Sequence, residues 1–252
     1  MLFDIHTHIS QFNNDELVPM RQRWNSNNVG FVLSAGTNVN DSYESIKLAK
    51  KYSDIYAGIG LHATEINENY EKQLNDLFNL INDQVITISE IGLDYLPDSP
   101  DRDIQKYCFL SQIEFSFQHK LPIIFHMRES NEDTIKLLGK NNDKIIGGAS
   151  HYFQGTLKDA QRIIDLGMYV SFAKPLLRDE NLQKIAECIS IENIVLETDS
   201  YPQYFKKNRE RWTEPKDVLL VAKKLANLKN IPIEEIIDQT TKNSIKLFKL
   251  SR

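Results

Sequence analysis

His6 and His8 flank a single threonine near the start of the sequence, in DIHTHI. If that stretch is a β-strand, side chains alternate across it and both imidazoles face one side, where they can share a metal ion. The spacing alone has little force, because histidines placed this way are commonly ordinary strand residues. Four further side chains of ligating type add weight: Glu90 closes the run VITISE, His126 closes LPIIFH, His151 closes IIGGASH and Asp199 closes IVLETD. Each by itself could cap a helix or satisfy a backbone group. Together with His6 and His8 they put six imidazole and carboxyl groups at the same end of five strand-like runs. Of the chain's six histidines, His62 ends another such run, and only His119, just past a helical stretch, is read as a surface residue.

Mixed imidazole and carboxylate donors suit zinc, manganese or iron, and hold magnesium when carboxylates and water complete the shell. One or two divalent ions are expected. A carboxylate between two groups of histidines can bridge two ions about 3.5–4 Å apart, which stabilises both the attacking and the leaving oxygen of a phosphodiester. Glu90 is the candidate bridge, with His6, His8 and Asp199 expected at one ion and His126 and His151 at the other. Asp199 could also accept or orient the proton of an activated water.

For these groups to meet, the strands that carry them must lie side by side. Eight β-rich runs alternate with amphipathic stretches: Leu2 to His8, Val29 to Ala35, Ile55 to Leu61, Val85 to Glu90, Leu121 to His126, Lys144 to His151, Met168 to Phe172 and Asn193 to Asp199. Repeated βα units in this number favour an α/β fold of the (β/α)8 TIM-barrel type, whose active sites sit at the C-terminal strand ends. Among the helical connections, Asp41 to Tyr52 carries apolar Tyr43, Ile46 and Ala49, and a helix is expected from about Asp103 to His119. Pro215 to Leu228 and Ile233 to Leu247 are expected to close the barrel wall, with Pro215 in a first turn. No Pro- or Gly-rich linker interrupts the chain, so residues 1–252 are expected to form a single domain.

A net charge of −5 argues against a protein that coats nucleic acid by bulk attraction, yet leaves room for a nuclease whose metal supplies local positive charge. Cys108 and Cys188 are too sparse for a disulfide scaffold, and both are expected to be buried as small apolar residues. No run of apolar residues is long enough to span a membrane, and the first residues lack the unbroken apolar core of a secretory signal, so a cytoplasmic location is expected.

The combination of DIHTHI, SEIGLDY (89–95), FHMRES (125–130), SHYFQGT (150–156), SFAKPL (171–176) and ETDS (197–200) resembles the TatD family of metal-dependent deoxyribonucleases, and the resemblance spans almost the whole chain. It implies a magnesium- or manganese-type enzyme that hydrolyses DNA phosphodiester bonds, often as a 3′→5′ exonuclease on single-stranded DNA. It also implies metal-site roles for His6, His8, Glu90, His126, His151 and Asp199, and places His62 and Arg128 near the substrate phosphate. Two departures lie in loops: Ala63-Thr64 follow His62 where the family commonly has proline and a second histidine, and Tyr201-Pro202 stand in reversed order. Lys206, Lys207, Arg209 and Arg211 could track a DNA backbone, with Tyr201, Tyr204, Phe205 and Trp212 offering faces for bases, although a charged loop is usually just solvated. The alternatives are a metallohydrolase of the same barrel acting on a small ester, amide or phosphoester, and a non-catalytic subunit that binds DNA or protein.

Overall fold

The computed structural model describes residues 1–250. Its strands are β1 (Leu2–Thr7), β2 (Val29–Ala35), β3 (Ile55–Ile59), β4 (Val85–Asp94), β5 (Ile123–Arg128), β6 (Gly148–Ser150), β7 (Tyr169–Phe172) and β8 (Ile194–Leu196). They form one sheet in sequence order, and every paired neighbour is parallel. The helices are α1 (Asn14–Ser26), α2 (Val39–Lys51), α3 (Tyr70–Phe78), α4 (Arg102–Gln118), α5 (Asn131–Lys140), α6 (Leu157–Asp165), α7 (Glu180–Cys188), α8 (Val218–Lys229) and α9 (Ile233–Leu247). This is the (β/α)8 barrel expected from the alternation of runs.

Parallel strands covered on both faces are apolar almost throughout, because helices shield one side and the barrel interior the other. One parity of the strands supplies the interior: Phe3, Ile5, Leu33, Ile124, Ala149 and Val195 pack with Leu247 and Phe248, so the end of α9 meets the start of β1. The other parity, including Leu2, Val32, Ile123 and Ile194, joins the larger core beneath the helices.

The sheet is drawn into a ring just beyond β8. Thr7 and Ser200 form a parallel bridge, the Asp199 N–H donates to the His6 carbonyl at 3.0 Å, and the His8 N–H donates to the Ser200 carbonyl at 2.8 Å. Deeper in the seam, the buried Asp4 carboxyl accepts from the Thr198 N–H at 2.9 Å and its hydroxyl at 2.5 Å. Burial, with Glu197 nearby, pushes Asp4 well above the usual carboxylate range.

Several expectations need correction. On α2 the buried face is Ser42, Ser45 and Ile46, whereas Tyr43 is 51% exposed. The reason is close approach: a Cβ on Gly36 would lie 2.2 Å from the Ser42 hydroxyl, and Ser45 bonds Ser34 at 2.8 Å, so large side chains do not fit between α2 and β2. Cys188 is exposed at the end of α7, and only Cys108 is buried. The sixth run, expected from Lys144 to His151, shrinks to a strand at Gly148–Ser150, and Lys144 ends a 3₁₀ turn, Asn142–Lys144. Pro215–Asp217 forms a 3₁₀ turn ahead of α8, with Pro215 at its first position. Among the described residues, no helix is long and apolar enough to cross a membrane.

Candidate metal centre

Glu90 lies inside β4, which continues four residues beyond it, and its side chain stands at the hub of the barrel mouth, 4% exposed. Its Oε2 is 3.3 Å from His6 Nε2 and 3.5 Å from His8 Nε2. Its Oε1 is 3.0 Å from His126 Nδ1, 3.4 Å from His62 Nε2 and 3.4 Å from His151 Nε2. Asp199 Oδ1 completes the ring, 3.3 Å from His8 Nε2 and 4.0 Å from His151 Nε2. All six side chains singled out as ligands therefore meet, and His62 joins them.

Donor atoms within 4.8 Å of one another fall into three overlapping sets: His6, His8 and Glu90; His6, His151 and Asp199; and His62, Glu90 and His126. His126 thus stands with His62, and His151 stands with His6 and Asp199.

Close backbone packing makes this convergence possible. A Cβ on Gly60 would fall 2.5 Å from the Glu90 nitrogen, so only glycine lets the end of β3 come this near. Gly92 has φ +143°, and a Cβ there would sit 2.0 Å from the His126 carbonyl oxygen, so it allows β4 and β5 to close up beside the site. Tyr152 (φ 44°) and Asp199 (φ 53°), both just past their strands, are non-glycine residues in the left-handed region. That conformation is unfavourable for an L-residue and concentrates where surrounding structure dictates side-chain direction.

On His8, His126 and His151 the nitrogen that faces away from Glu90 lies beside an acceptor. His8 Nδ1 lies 3.1 Å from the Ala35 carbonyl, His126 Nε2 lies 3.1 Å from Asp94 Oδ2, and His151 Nδ1 lies 2.9 Å from Glu197 Oε1. Such contacts fix ring orientation and leave the other nitrogen turned to the centre. His62 is oriented by Thr64, whose N–H donates to its Nδ1 at 3.2 Å and whose hydroxyl is 2.8 Å away. Sequence reasoning missed Asp94, although it lies within EIGLDY, and left Glu197 between two readings. Glu197 is fully buried and also accepts from the Tyr152 N–H at 2.8 Å and the Ser171 hydroxyl at 2.6 Å.

Electrostatics follow from this crowding. Burial works against the charge on Glu90, but His151 and His62, with His126 and His6 beside it, hold its carboxyl well below the usual range. Asp199 is likewise opposed by burial and brought to about 2, chiefly by His8 and then His151. His151 shows the complement: burial disfavours its charge, yet Glu197 and Glu90 push it up to about 10. The mouth is a strong field for positive charge, and a cation bound there competes with protons on the rings.

The donor chemistry fits a divalent metal. His6 is wholly buried, and among the described residues neither of its ring nitrogens has a hydrogen-bond partner. A buried polar ring left in this state is unfavourable unless something binds it, and Nε2 points at Glu90 where a cation would satisfy both.

A family model described as "TatD related DNase" matches residues 3–249. The chain belongs to the TatD family. The Bacillus subtilis protein described as "Uncharacterized metal-dependent hydrolase YabD" is 30% identical to this TatD chain over the full length of both. A "Deoxyribonuclease Tat-D" of Schizosaccharomyces pombe is 28% identical, over 86% of this chain and 82% of the yeast protein. The crystal structure of YjjV, a TatD homologue from Escherichia coli, superposes with a TM-score of 0.88 at 23% identity, covering 99% of this chain and 98% of that one, a likeness of fold.

Two other expectations for this TatD chain concern its rim. Arg128 is exposed at the end of β5 and, among the described residues, makes no ion pair with Glu129 or Asp199. In the loop after β8, Arg209 is engaged by Glu16 and Glu214 at 3.1 Å each, and Trp212 is buried, so neither is free as the sequence suggested.

Proposed function

We propose that this TatD protein is a metal-dependent deoxyribonuclease that hydrolyses phosphodiester bonds of single-stranded DNA, working from the 3′ end in the cytoplasm. The observation that carries the reading is the convergence of five imidazoles and the Asp199 carboxylate around Glu90. The yeast relative's name supports DNA as the substrate. Two unpaired cysteines suit a reducing compartment.

His6, His8, His126, His151 and Asp199 would hold divalent ions, magnesium or manganese, with Glu90 between them because its two oxygens face different histidines. Such ions supply a lowered water pKa and positive charge beside the phosphate. Asp199 accepts the proton of the attacking water, since it is held ionised at the edge of the donor ring. His62 Nε2, turned into the mouth, contacts the phosphate or leaving oxygen. Arg128, which pairs with no carboxylate among the described residues, offers a forked donor to a non-bridging oxygen.

The test is metal-dependent cleavage of end-labelled single-stranded oligonucleotides beside a panel of small esters, amides and phosphoesters. Wild-type protein with manganese should shorten the oligonucleotide from its 3′ end, and Glu90→Ala and Asp199→Ala should abolish this while keeping the native circular dichroism spectrum. Turnover of a small substrate without turnover of DNA would overturn the assignment, as would full activity in either variant.

A further inference from the structure

The loop after β8 holds the two most exposed large apolar side chains among the described residues, Tyr204 at 73% and Phe205 at 71%. An isolated exposed aromatic is unremarkable on a protein surface. Here two are adjacent, and the rest of the loop braces them. Gln203 accepts from the Thr213 N–H at 2.9 Å, which pins the two ends of the loop together. Trp212 turns inward, with its ring 6.1 Å from Phe12 and edge-on to Tyr204 at 5.1 Å. Arg209 lies over Trp212 at 4.3 Å and ties the loop to Glu16 of α1 and to Glu214.

Charge around the rings is mainly positive. Lys207 and Arg211 are exposed, and Lys206 sits 5.8 Å from the Phe205 ring. Burial, and then the nearby Lys174 and Arg178 from the loop after β7, lower the pKa of Lys206. The opposing carboxylates are Glu210, which is exposed, and Asp217, which Lys174 already pairs at 3.0 Å. Tyr204 and Phe205 follow Asp199 by five and six residues, so their Cα atoms lie no more than about 18–22 Å from that of Asp199. That distance is within a few nucleotides of a phosphate bound there.

We propose that Tyr204 and Phe205 form a stacking platform for unpaired bases of the DNA strand whose terminal phosphodiester occupies the metal centre, and that this platform gives the protein its preference for single strands. The inference rests on the deoxyribonuclease reading. An unpaired base can turn an aromatic face to a protein ring, whereas in a duplex both faces are covered by neighbouring bases. The surrounding lysines and arginines meet the phosphates of the same strand without reading its sequence.

The experiment compares the full-length protein with Tyr204→Ala, Phe205→Ala and the double variant, in manganese, on a long oligothymidylate, a dinucleotide and bis(p-nitrophenyl) phosphate. Loss of each ring should raise KM for the long oligonucleotide about tenfold or more, leave its kcat alone, and leave the two small substrates unaffected. Tyr204→Trp and Phe205→Trp should restore binding, which a merely structural role would not produce. Binding is read separately from the fluorescence of a 2-aminopurine-labelled strand, which wild-type protein should quench and the double variant should not. Unchanged KM and quenching in the double variant overturn the platform even if DNA is cut. An equal loss on bis(p-nitrophenyl) phosphate overturns it in favour of a loop that shapes the centre. Self-association that the double variant loses, with DNA binding intact, overturns it in favour of a protein contact. Wild-type protein that binds the strand through these rings but cuts only small substrates would retain the platform and sink the nuclease reading. No binding of the strand by wild type overturns both.

Discussion

Asp94 illustrates how a residue outside the donor ring can govern it. It is 1% exposed and accepts from the Leu96 N–H at 3.1 Å and the Ser99 hydroxyl at 2.9 Å, while His126 Nε2 lies 3.1 Å from its other oxygen. Those bonds hold the carboxylate still and ionised, so the His126 ring is held with Nδ1 toward Glu90. Asp94→Asn keeps size and an acceptor for Ser99 and Leu96 but removes the charge opposite His126. Metal affinity is expected to fall about 10–100-fold, with little change in thermal stability measured without metal. Calorimetric manganese titration beside thermal melting checks this, and unaltered affinity would show that the Asp94 contact does not set the ring. Glu197→Gln should be harsher, since Glu197 is fully buried and serves His151, Tyr152 and Ser171 at once. At this scale the candidate donors were legible because imidazole and carboxyl groups are rare in apolar strand-like runs and close five of the runs read from the sequence. Their orienting carboxylates were not, because an Asp four residues past Glu90 looks like any polar residue entering a loop until the fold returns it to His126.

Among the elements, strand existence was readable and strand length was not. Parallel strands covered on both faces carry few boundary signals, so β4 runs on through apolar Ile91-Gly92-Leu93 to Asp94 while the expected run stopped at Glu90. His8, His151 and Asp199 conversely lie just past their strands, where left-handed or irregular backbone aims them inward. The serine face of α2 escaped periodicity because small polar residues can pack where two backbones approach closely. The loop after β8 is held to α1 by charge. Arg23 donates to both Glu214 oxygens at 2.7 Å, and Glu214 is 5% exposed. Burial pushes the Glu214 carboxyl up, but Arg23, then Lys216 and Arg209, outweigh it and hold it below the ordinary range. A depressed carboxyl stabilises the fold above its unfolded value, about 4.3, and loses that contribution as pH falls through its folded value. Glu214→Gln should therefore be less stable than wild type at pH 7 by about 1–2 kcal/mol, discounted for the part-exposed Arg23, and the gap should shrink below about pH 4. Urea denaturation across pH reads both effects; a constant gap would assign the difference to packing.

For the whole molecule, closing the sheet and assembling the centre are one event. His6 and Asp199 are joined through backbone at the seam, the His6 carbonyl accepting from Asp199 N–H at 3.0 Å, and the donors around them come from positions as far apart in sequence as 6 and 199. An unfolded chain cannot present these groups together, so a cation that fits the mouth binds the folded barrel selectively and stabilises it by mass action. At a free concentration one hundred times its dissociation constant, the gain is about 2.7 kcal/mol per site. For a chain of this size that corresponds to a melting shift of roughly 5–10 °C, using about 2–4 °C per kcal/mol. Manganese should therefore raise the melting temperature in proportion to the logarithm of its concentration, and a chelator should reverse the shift. Because cations displace ring protons held by Glu197, Glu90 and Asp199, the same concentration should stabilise less as pH is lowered. Glu90→Gln separates this linkage from nonspecific salt effects: it removes the charged hub facing His6, His8, His126 and His151, so its melting curve should respond weakly to manganese. A shift of equal size in that variant would mean that the stabilising cations bind elsewhere on the barrel, and the mouth would lose its claim to them.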